Sequence, residues 1–162
     1  MARRQVLKQL LGLGSMVCAP WVRAQSDSNL RLLVGFAPGG GVDSVARLMA
    51  PKLSVLLKQT LVIDNRAGAG GNIASEALYK ASGDENTLML GTIGSLAVNQ
   101  HLINMNFSPS NELELVSLAV AFSNVLVVPE SSPIANFGEY LRLAREPNTR
   151  LAFGSSGIGS AG

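Results

Sequence analysis

Residues 30–44 decide the fold and read LRLLVGFAPGGGVDS. Their first part, residues 30–36, is a continuous apolar run, which predicts a strand in a sheet that is buried on both faces. The glycines at positions 39–41 predict a tight turn. Asp43 is predicted to cap the helix that follows, because its carboxylate can accept N–H groups of the first helical turn. A strand that leads through a turn into a helix is the repeating unit of α/β proteins.

The same unit recurs along the chain, because short apolar runs alternate with helical patterns and Gly-rich turns. Further strands are predicted at residues 61–64, 87–90, 115–122, 125–128 and 151–153. Helices are predicted at residues 43–56, 72–81, 96–102 and 136–146. This alternation predicts an α/β fold with a mainly parallel sheet. In such sheets ligands bind at the carboxyl ends of the strands, where the Gly-rich turns of this chain lie.

The spacing of apolar residues predicts how the first two of these helices pack. The first helix has apolar residues at helical spacing, which are Val45, Leu48, Met49, Leu53 and Leu56. Pro51 is predicted to kink it, because proline removes one N–H and clashes with the preceding turn. Asn72 is predicted to cap the second helix. Its predicted inward residues are Ile73, Ala77, Leu78 and Ala81.

Composition limits the class of protein. The chain has 162 residues, of which 47% are hydrophobic and 15% charged, so it is not a disordered charged tail. One cysteine, Cys18, and one histidine, His101, exclude a disulfide framework and a cysteine-rich or multi-histidine metal site. The sequence therefore predicts neither a metal nor a cofactor, and His101 is predicted to be a packed or surface residue.

The basic N-terminus predicts export from the cytoplasm. Residues 1–24 hold four of the thirteen basic residues and none of the eleven acidic ones, so the remainder carries a net charge of −2 and offers little to a nucleic acid. A basic start before a short apolar run is typical of a signal peptide, with cleavage after Ala24 and a periplasmic product. Arg3 and Arg4 also resemble a twin-arginine signal, so the Sec and twin-arginine routes both stay open.

Three Gly-rich turns could bind a ligand. The turn at residues 36–43 combines glycine backbone, which a ligand can approach closely, with a helix N-terminus, which suits an anion. A plain tight turn without a ligand is an equal alternative. The turn at residues 65–71 favours packing, with Arg66 solvated or salt-bridged. The turn at residues 154–160 offers serine hydroxyls and amides without negative charge. It could hold a carboxylate or serve only as a linker.

Enzyme motifs fit less well. A dinucleotide site needs G-x-G-x-x-G and an acidic residue about 20 positions later. Gly39, Gly41 and Asp64 fit that pattern, but Ser44 stands where the third glycine should be. A Walker phosphate-binding loop needs a lysine after its glycines, and no lysine follows the glycines here. Residues 154–157 lack the G-x-S-x-G spacing of a serine hydrolase.

Four segments together resemble a known family. They read LVGFAPGGGVDSVAR at residues 33–47, VIDNRAGAGGNI at 62–73, LMLGT at 88–92 and GSSG at 154–157. Their order resembles the Bug family, the periplasmic solute receptors of tripartite tricarboxylate transporters. The resemblance implies a two-lobed, Venus-flytrap-like binding protein that holds a small carboxylate between its lobes and catalyses no reaction.

The resemblance also implies ligand-binding residues. The first turn would hold a ligand carboxylate through backbone amides, with Asp43 as the organiser of the loop. The serine turn would hold the distal end of the ligand, and the end of the third strand would line the cleft. The residues are Phe36, Ala37, Gly39, Gly40, Asp43, Thr92, Ser95, Ser155, Ser156 and Gly157.

The implied partners are a carboxylate and the membrane subunits of a transporter. The ligand could be a di- or tricarboxylate, an amino acid or an aromatic acid, and the receptor is expected to be a monomer. The expected domains are a signal peptide (residues 1–24), a first lobe (25–122) and the start of an incomplete second lobe (123–162). The chain stops within a turn after a predicted strand, so we expect a fragment.

Two other hypotheses remain open at this stage. The first is an exported nucleotide-dependent oxidoreductase with a Rossmann-like domain, since the twin-arginine route can carry folded cofactor proteins. The second is a gene remnant without function.

Overall fold

The structure is a computed structural model that describes residues 29–160. The predicted signal peptide and Cys18 lie outside the described residues. The helices and strands are β1 (Leu30–Val34), α1 (Gly41–Leu57), β2 (Leu61–Asn65), α2 (Asn72–Lys80), β3 (Thr87–Leu90), α3 (Pro109–Glu112) and α4 (Phe137–Arg145). Shorter helical turns are the 3₁₀ turns Ala69–Gly71 and Asn99–His101 and the π turn Gly94–Val98.

The three strands form a parallel sheet in the order β2-β1-β3. Leu32 in β1 lies opposite Ile63 in β2 and Leu88 in β3, so β1 is paired along both edges. The chain moves to one side of β1 through α1 and to the other side through α2. This order places a switch point between β1 and β3, where ligands of open α/β sheets bind. The predicted α/β fold with a mainly parallel sheet is confirmed.

The core lies between the sheet and the small residues of α1. Leu32 and Val34 are buried against Ala46 and Ala50 of the helix, with Leu30 and Leu61 beside them. Alanine carries no side chain beyond Cβ, so the backbone of α1 approaches the sheet closely. Partly buried residues complete this core, namely Val42, Leu53, Ile63 and Leu90.

The predicted inward faces of both helices were wrong in part. Leu48 is 81% exposed and Leu56 is 70% exposed, while the stripe that faces the sheet runs through Val42, Ala46 and Ala50. In α2, Ile73 is 46% exposed. The buried residues there are Asn72, Ala74 and Ser75. Small residues replace large ones on these faces because the helices lie close to neighbouring backbone. Helix α1 continues through Pro51 to Leu57.

Both predicted N-caps were also wrong. Helix α1 begins at Gly41 with Gly40 as its N-cap, and α2 begins at Asn72 with Gly71 as its N-cap. Neither cap glycine supplies a side chain. The carboxylate of Asp43 instead reaches back to the N–H of Gly39, which precedes the helix.

The described residues after 112 lack the predicted strands. Residues 115–122, 125–128 and 151–153 pair with no other strand among residues 29–160. A strand requires a neighbour for its backbone hydrogen bonds, and these apolar segments have none within the described part. The predicted short helix at 96–102 is a π turn followed by a 3₁₀ turn. The lobe boundary at residues 122/123 falls in this extended stretch and stays a prediction.

The last predicted helix is confirmed as α4. Asn136 is its N-cap, and its Oδ1 accepts the N–H of Glu139 at 3.0 Å. None of its residues is buried. Across residues 29–160, no helix combines the length and the apolar character that crossing a bilayer requires.

Candidate functional site

Four loops meet at the carboxyl end of the sheet. They are the first loop (residues 35–40, after β1), the second loop (66–71, after β2), the third loop (91–95, after β3) and the serine loop (154–160). All the predicted ligand-binding residues lie in these loops, except Asp43, which lies in the first turn of α1.

Asp43 organises the first loop. Its side chain is 1% exposed, and both carboxylate oxygens are hydrogen-bonded. Oδ2 accepts the N–H of Gly39 at 2.8 Å and Nε of Arg47 at 2.8 Å. Oδ1 accepts Nδ2 of Asn65 at 2.9 Å. The buried charge is therefore compensated, as burial of a carboxylate requires.

These partners keep Asp43 ionised. The Arg47 guanidinium, the Gly39 N–H and the Asn65 amide, in that order, hold the pKa of the Asp43 carboxyl well below its usual value. The same ion pair raises the pKa of Arg47. Asp43 and Arg47 together add no net charge to the site, so Asp43 does not present an uncompensated negative charge to an anion.

Asn65 connects the first loop to the end of β2. Its Nδ2 donates to the backbone oxygen of Phe36 at 3.1 Å as well as to Asp43. Its Oδ1 lies 3.4 Å from Nη2 of Arg47. One side chain thus fixes the first loop, the start of α1 and the neighbouring strand. Sequence reasoning missed Asn65, although its place at the end of a strand beside the Gly-rich loop was a usable signal.

Of the three predicted amide donors, Ala37 has no protein acceptor for its N–H within residues 29–160, whereas Gly39 and Gly40 use theirs inside the loop. The N–H of Gly39 is bonded to Asp43, and the N–H of Gly40 is bonded to the oxygen of Ala37 at 3.2 Å. The first helical bond runs from Ser44 to Gly40. Within residues 29–160, the N–H groups of Gly41, Val42 and Asp43 have no protein acceptor. They point out of the helix N-terminus, where the backbone dipoles favour an anion. Sequence reasoning missed Gly41 and Val42 as donors.

The second loop packs against the first and third loops, as predicted. A Cβ on Gly35 would lie 2.7 Å from Cα of Gly71. A Cβ on Gly71, whose φ is +98°, would lie 3.1 Å from Cβ of Ser95 and 3.5 Å from the ring of Phe36. Only glycine permits this approach. Arg66 is paired with Asp64 at 3.0 Å, as expected for a salt-bridged arginine.

The third loop places Thr92 nearer the surface than Ser95. Ser95 is 1% exposed, and its Oγ accepts the N–H of Thr92 at 3.2 Å. Its backbone oxygen accepts Oγ of Ser75 at 3.4 Å. Thr92 is half-buried. This geometry favours Thr92 as the residue that faces the other loops, while the buried Ser95 accepts its N–H and fixes its position. Ligand contacts by either residue stay predictions.

The serine loop lies beside the second loop. Ser155, Ser156 and Gly157 are exposed, and Gly157 lies close to the N–H of Gly70, which a Cβ on Gly157 would approach to 3.8 Å. Oγ of Ser155 accepts the N–H of Gly157 at 3.4 Å. The structure therefore brings the predicted distal loop to the same end of the sheet as the first loop.

A separate polar groove of about 630 Å³ lies beyond the third loop. Gln100 bridges Ser108 and Ser110 there, at 2.8 and 3.0 Å. His101 is exposed, as predicted for a surface histidine, and its Nε2 lies 3.4 Å from Gln100. Within the described residues, no group of three potential metal-ligating side chains is close enough to hold an ion.

The sheet order, the switch point and the glycine loops define the class of α/β periplasmic-binding-protein folds. The chain belongs to one family within it, because the family model described as "Tripartite tricarboxylate transporter family receptor" matches residues 45–162. The resemblance found in the sequence is thereby confirmed.

Relatives agree with this assignment. The chain is 35% identical over 129 residues to the "UPF0065 protein in tcbD-tcbE intergenic region" of Pseudomonas sp. strain P51, covering 80% of this chain and 38% of the relative. It is 31% identical over 133 residues to "Protein BugT" of Bordetella pertussis, covering 81% of this chain and 41% of the relative.

A solved structure shares the fold. "R. palustris Rpa4515 with adipate" superposes with a TM-score of 0.64 and 31% sequence identity, covering 82% of this chain and 44% of that one. The present chain thus spans less than half of the proteins that it matches.

Proposed function

We propose that this chain is the ligand-binding part of a periplasmic receptor that captures a small organic carboxylate for a membrane transporter of the tripartite tricarboxylate type. It binds its ligand without catalysing a reaction. The observation that carries the proposal is the run of N–H groups at Gly41, Val42 and Asp43 that have no acceptor within residues 29–160, beside a carboxylate that Arg47 neutralises.

The geometry suits a carboxylate. Two adjacent N–H donors at the start of a 17-residue helix match the two oxygens of a carboxylate, and the helix dipole adds favourable potential. The serine loop supplies hydroxyl and amide donors for the distal end, through Ser155, Ser156 and Gly157. A dicarboxylate of the length of adipate, which is present in the structure of the R. palustris relative, is the ligand class that we test first.

Location and partners follow from the same proposal. Residues 1–24 act as the export signal, with cleavage after Ala24, and the product works as a monomer in the periplasm. Its partners are the carboxylate and the membrane subunits of the transporter. The proposal rests on family membership and on the loop geometry, and neither calls for a cofactor.

Two substitutions at Gly41 test the site. Proline is well tolerated at the first position of a helix, and Gly40 before it has φ −72° and ψ 168°, the conformation that a residue before proline adopts. Gly41→Pro therefore deletes one N–H and leaves α1 in place. Gly41→Ala is the matched control, because it keeps the N–H and its Cβ would meet nothing within 4 Å.

Isothermal titration of the 162-residue chain with adipate gives the readout. We expect Gly41→Pro to weaken binding about ten- to a hundredfold, the worth of a hydrogen bond to a charged group, and Gly41→Ala to bind like the unchanged chain. Equal affinities of the two variants would exclude this helix N-terminus as the carboxylate site. The same titration with malate, glutamate and benzoate defines the ligand class.

A further inference from the structure

The end of the serine loop is tightly seated between the second loop and Asn99. A Cβ on Gly70 would lie 2.6 Å from the backbone oxygen of Ile158 and 2.9 Å from the nitrogen of Ser160. A Cβ on Gly159 would lie 2.8 Å from Cγ of Asn99. Both glycines have positive φ, +63° and +76°. The two backbones therefore approach each other at a point where neither has room for a side chain.

Two buried amides lie at this point. Asn99 is 1% exposed and Asn72 is 7% exposed, and Nδ2 of Asn99 donates to Oδ1 of Asn72 at 2.9 Å. Within residues 29–160, Nδ2 of Asn72 and Oδ1 of Asn99 have no hydrogen-bond partner. An unsatisfied buried polar atom costs free energy, so native proteins rarely keep one without a use.

The free atoms match the chemistry of a peptide backbone. One is a donor and the other an acceptor, which is what a peptide group needs. Oδ1 of Asn99 is the atom nearest to the position that a Cβ on Gly159 would occupy. The backbone of the serine loop is thus the group that lies within reach of this amide.

We infer that Gly70, Asn72 and Asn99 form a backbone seat for residues 158–160, which holds the serine loop against the second loop at the carboxyl end of the sheet. The seat positions Ser155, Ser156 and Gly157 without touching the ligand, so Asn99 is a positioning residue. This inference rests on the proposed function for its effect on ligand affinity, while the seat itself is a property of the ligand-free chain. The seat thus joins the second loop to the serine loop, two segments that are far apart in sequence, at the carboxyl end of the sheet.

Hydrogen exchange of the 162-residue chain, measured without ligand, tests the seat. Gly159→Ala drives a methyl group into Asn99, so we expect the amides of residues 157–160 to exchange about tenfold faster. Two controls separate other causes. Gly154→Ala lies in the same loop with nothing within 4 Å, and Gly83→Ala has a φ of +90° with nothing within 4 Å. Both controls should leave exchange at residues 157–160 unchanged.

A double substitution makes the test specific to the contact. Asn99→Ala removes the three atoms nearest to the added methyl group, which are Oδ1, Cγ and Nδ2 of Asn99. Asn99→Ala alone should also speed exchange, because it removes the seat. In that background Gly159→Ala keeps only the backbone strain of its φ of +76° and loses the clash, so the double substitution should speed exchange by less than the product of the two single effects. Multiplying effects would overturn the inference.

Gly70→Ala tests the seat from its other side. It should speed exchange at residues 158–160 even if Asn99→Ala fails to fold, because its Cβ would press on Ile158 and Ser160. Unchanged exchange in both Gly70→Ala and Gly159→Ala would overturn the seat.

Adipate titration separates this inference from the proposed function. If the seat holds the serine loop over the ligand, Gly159→Ala should weaken adipate binding about tenfold, mainly through faster release. Absence of adipate binding in the unchanged chain would count against the proposed ligand, while the exchange result would still decide the seat. Faster exchange together with unchanged adipate affinity would overturn the positioning role of Asn99.

Discussion

Two regions of this chain contrast sharply, the sheet region (residues 30–112) and the extended region (residues 113–160). In the sheet region Leu33 and Val34, which point to opposite faces of the sheet, are 1% and 0% exposed, because β1 is paired on both edges and contacts both α1 and α2. In the extended region Val116 and Leu118 are 85% and 82% exposed. Both regions have apolar segments of strand character. An apolar segment therefore forms a strand here only where a neighbouring strand and a covering helix are present.

The helices repeat the contrast. Helix α1 buries Ala46 and Ala50 against the sheet. Helix α4 buries no residue and is held by local interactions, which are the Asn136 cap and the ion pair between Arg142 and Glu146. Tertiary packing stabilises the first region, whereas short-range contacts define the helix of the second.

Truncation of one leucine in each region should give the largest difference between the two regions in the loss of unfolding free energy. Leu33→Ala removes a side chain that is 1% exposed and should lower the free energy of unfolding by about 2–5 kcal/mol. Leu118→Ala is the matched change at a side chain that is 82% exposed and should change it by less than about 0.5 kcal/mol. Urea unfolding followed by circular dichroism measures both. Similar losses would mean that the extended region also carries a folded core.

Two glycine-to-alanine substitutions, one in each region, compare how much room each region has for an added methyl group. Gly35→Ala places a Cβ 2.7 Å from Cα of Gly71, which is backbone and cannot rotate away, so we expect a loss of about 1–3 kcal/mol. Gly154→Ala in the extended region meets nothing within 4 Å and should be neutral. The thermal unfolding midpoints of the two variants are the measurement. A neutral Gly35→Ala would show that the second loop can move away from β1.

Asp43 should make the sheet region sensitive to acid. Its pKa is lowered in the folded chain by Arg47, Gly39 and Asn65. Its contribution to stability is therefore full above the unfolded pKa of about 3.9 and is lost as the pH falls below that value. We expect Asp43→Asn to lower the thermal midpoint at pH 7. Between pH 5 and pH 2, a range that spans the unfolded pKa, the variant should lose less stability than the unchanged chain. Glu114→Gln, an exposed change in the extended region, is the control. Parallel curves for Asp43→Asn and the unchanged chain would contradict the network.

The smallest effect is expected at the α4 cap. Asn136→Ala removes the acceptor for the N–H of Glu139 and should destabilise α4 locally by about 1 kcal/mol. Asn136→Asp keeps the acceptor and should behave like the unchanged chain. Because α4 buries no residue, the urea midpoint of the sheet region should not move, while hydrogen exchange within α4 should rise. A shift of the global midpoint would mean that α4 is coupled to the sheet.

Much of the site was predictable because it follows local rules. A strand followed by glycines and a helix implies a loop with free N–H groups, and the resemblance to the receptor family suggested a carboxylate as the ligand to test. Asn65, Gly41 and Val42 were missed. The role of Asn65 depends on the register between β1 and β2, and the free donors depend on where α1 begins. Neither is fixed by residues that are adjacent in sequence.

Local sequence patterns were enough to predict the α/β class, the three strands of the sheet, α4 and the family of the chain. These depend on periodicity, turn residues and motifs, all of which act over a few positions. Three features emerge only from the packing of distant segments: the small residues of α1 face the sheet, Asp43 pairs with Arg47 and accepts a hydrogen bond from Asn65, and Gly159 lies against Asn99. Those outcomes depend on which distant backbones come close enough to exclude a side chain or to share a hydrogen bond.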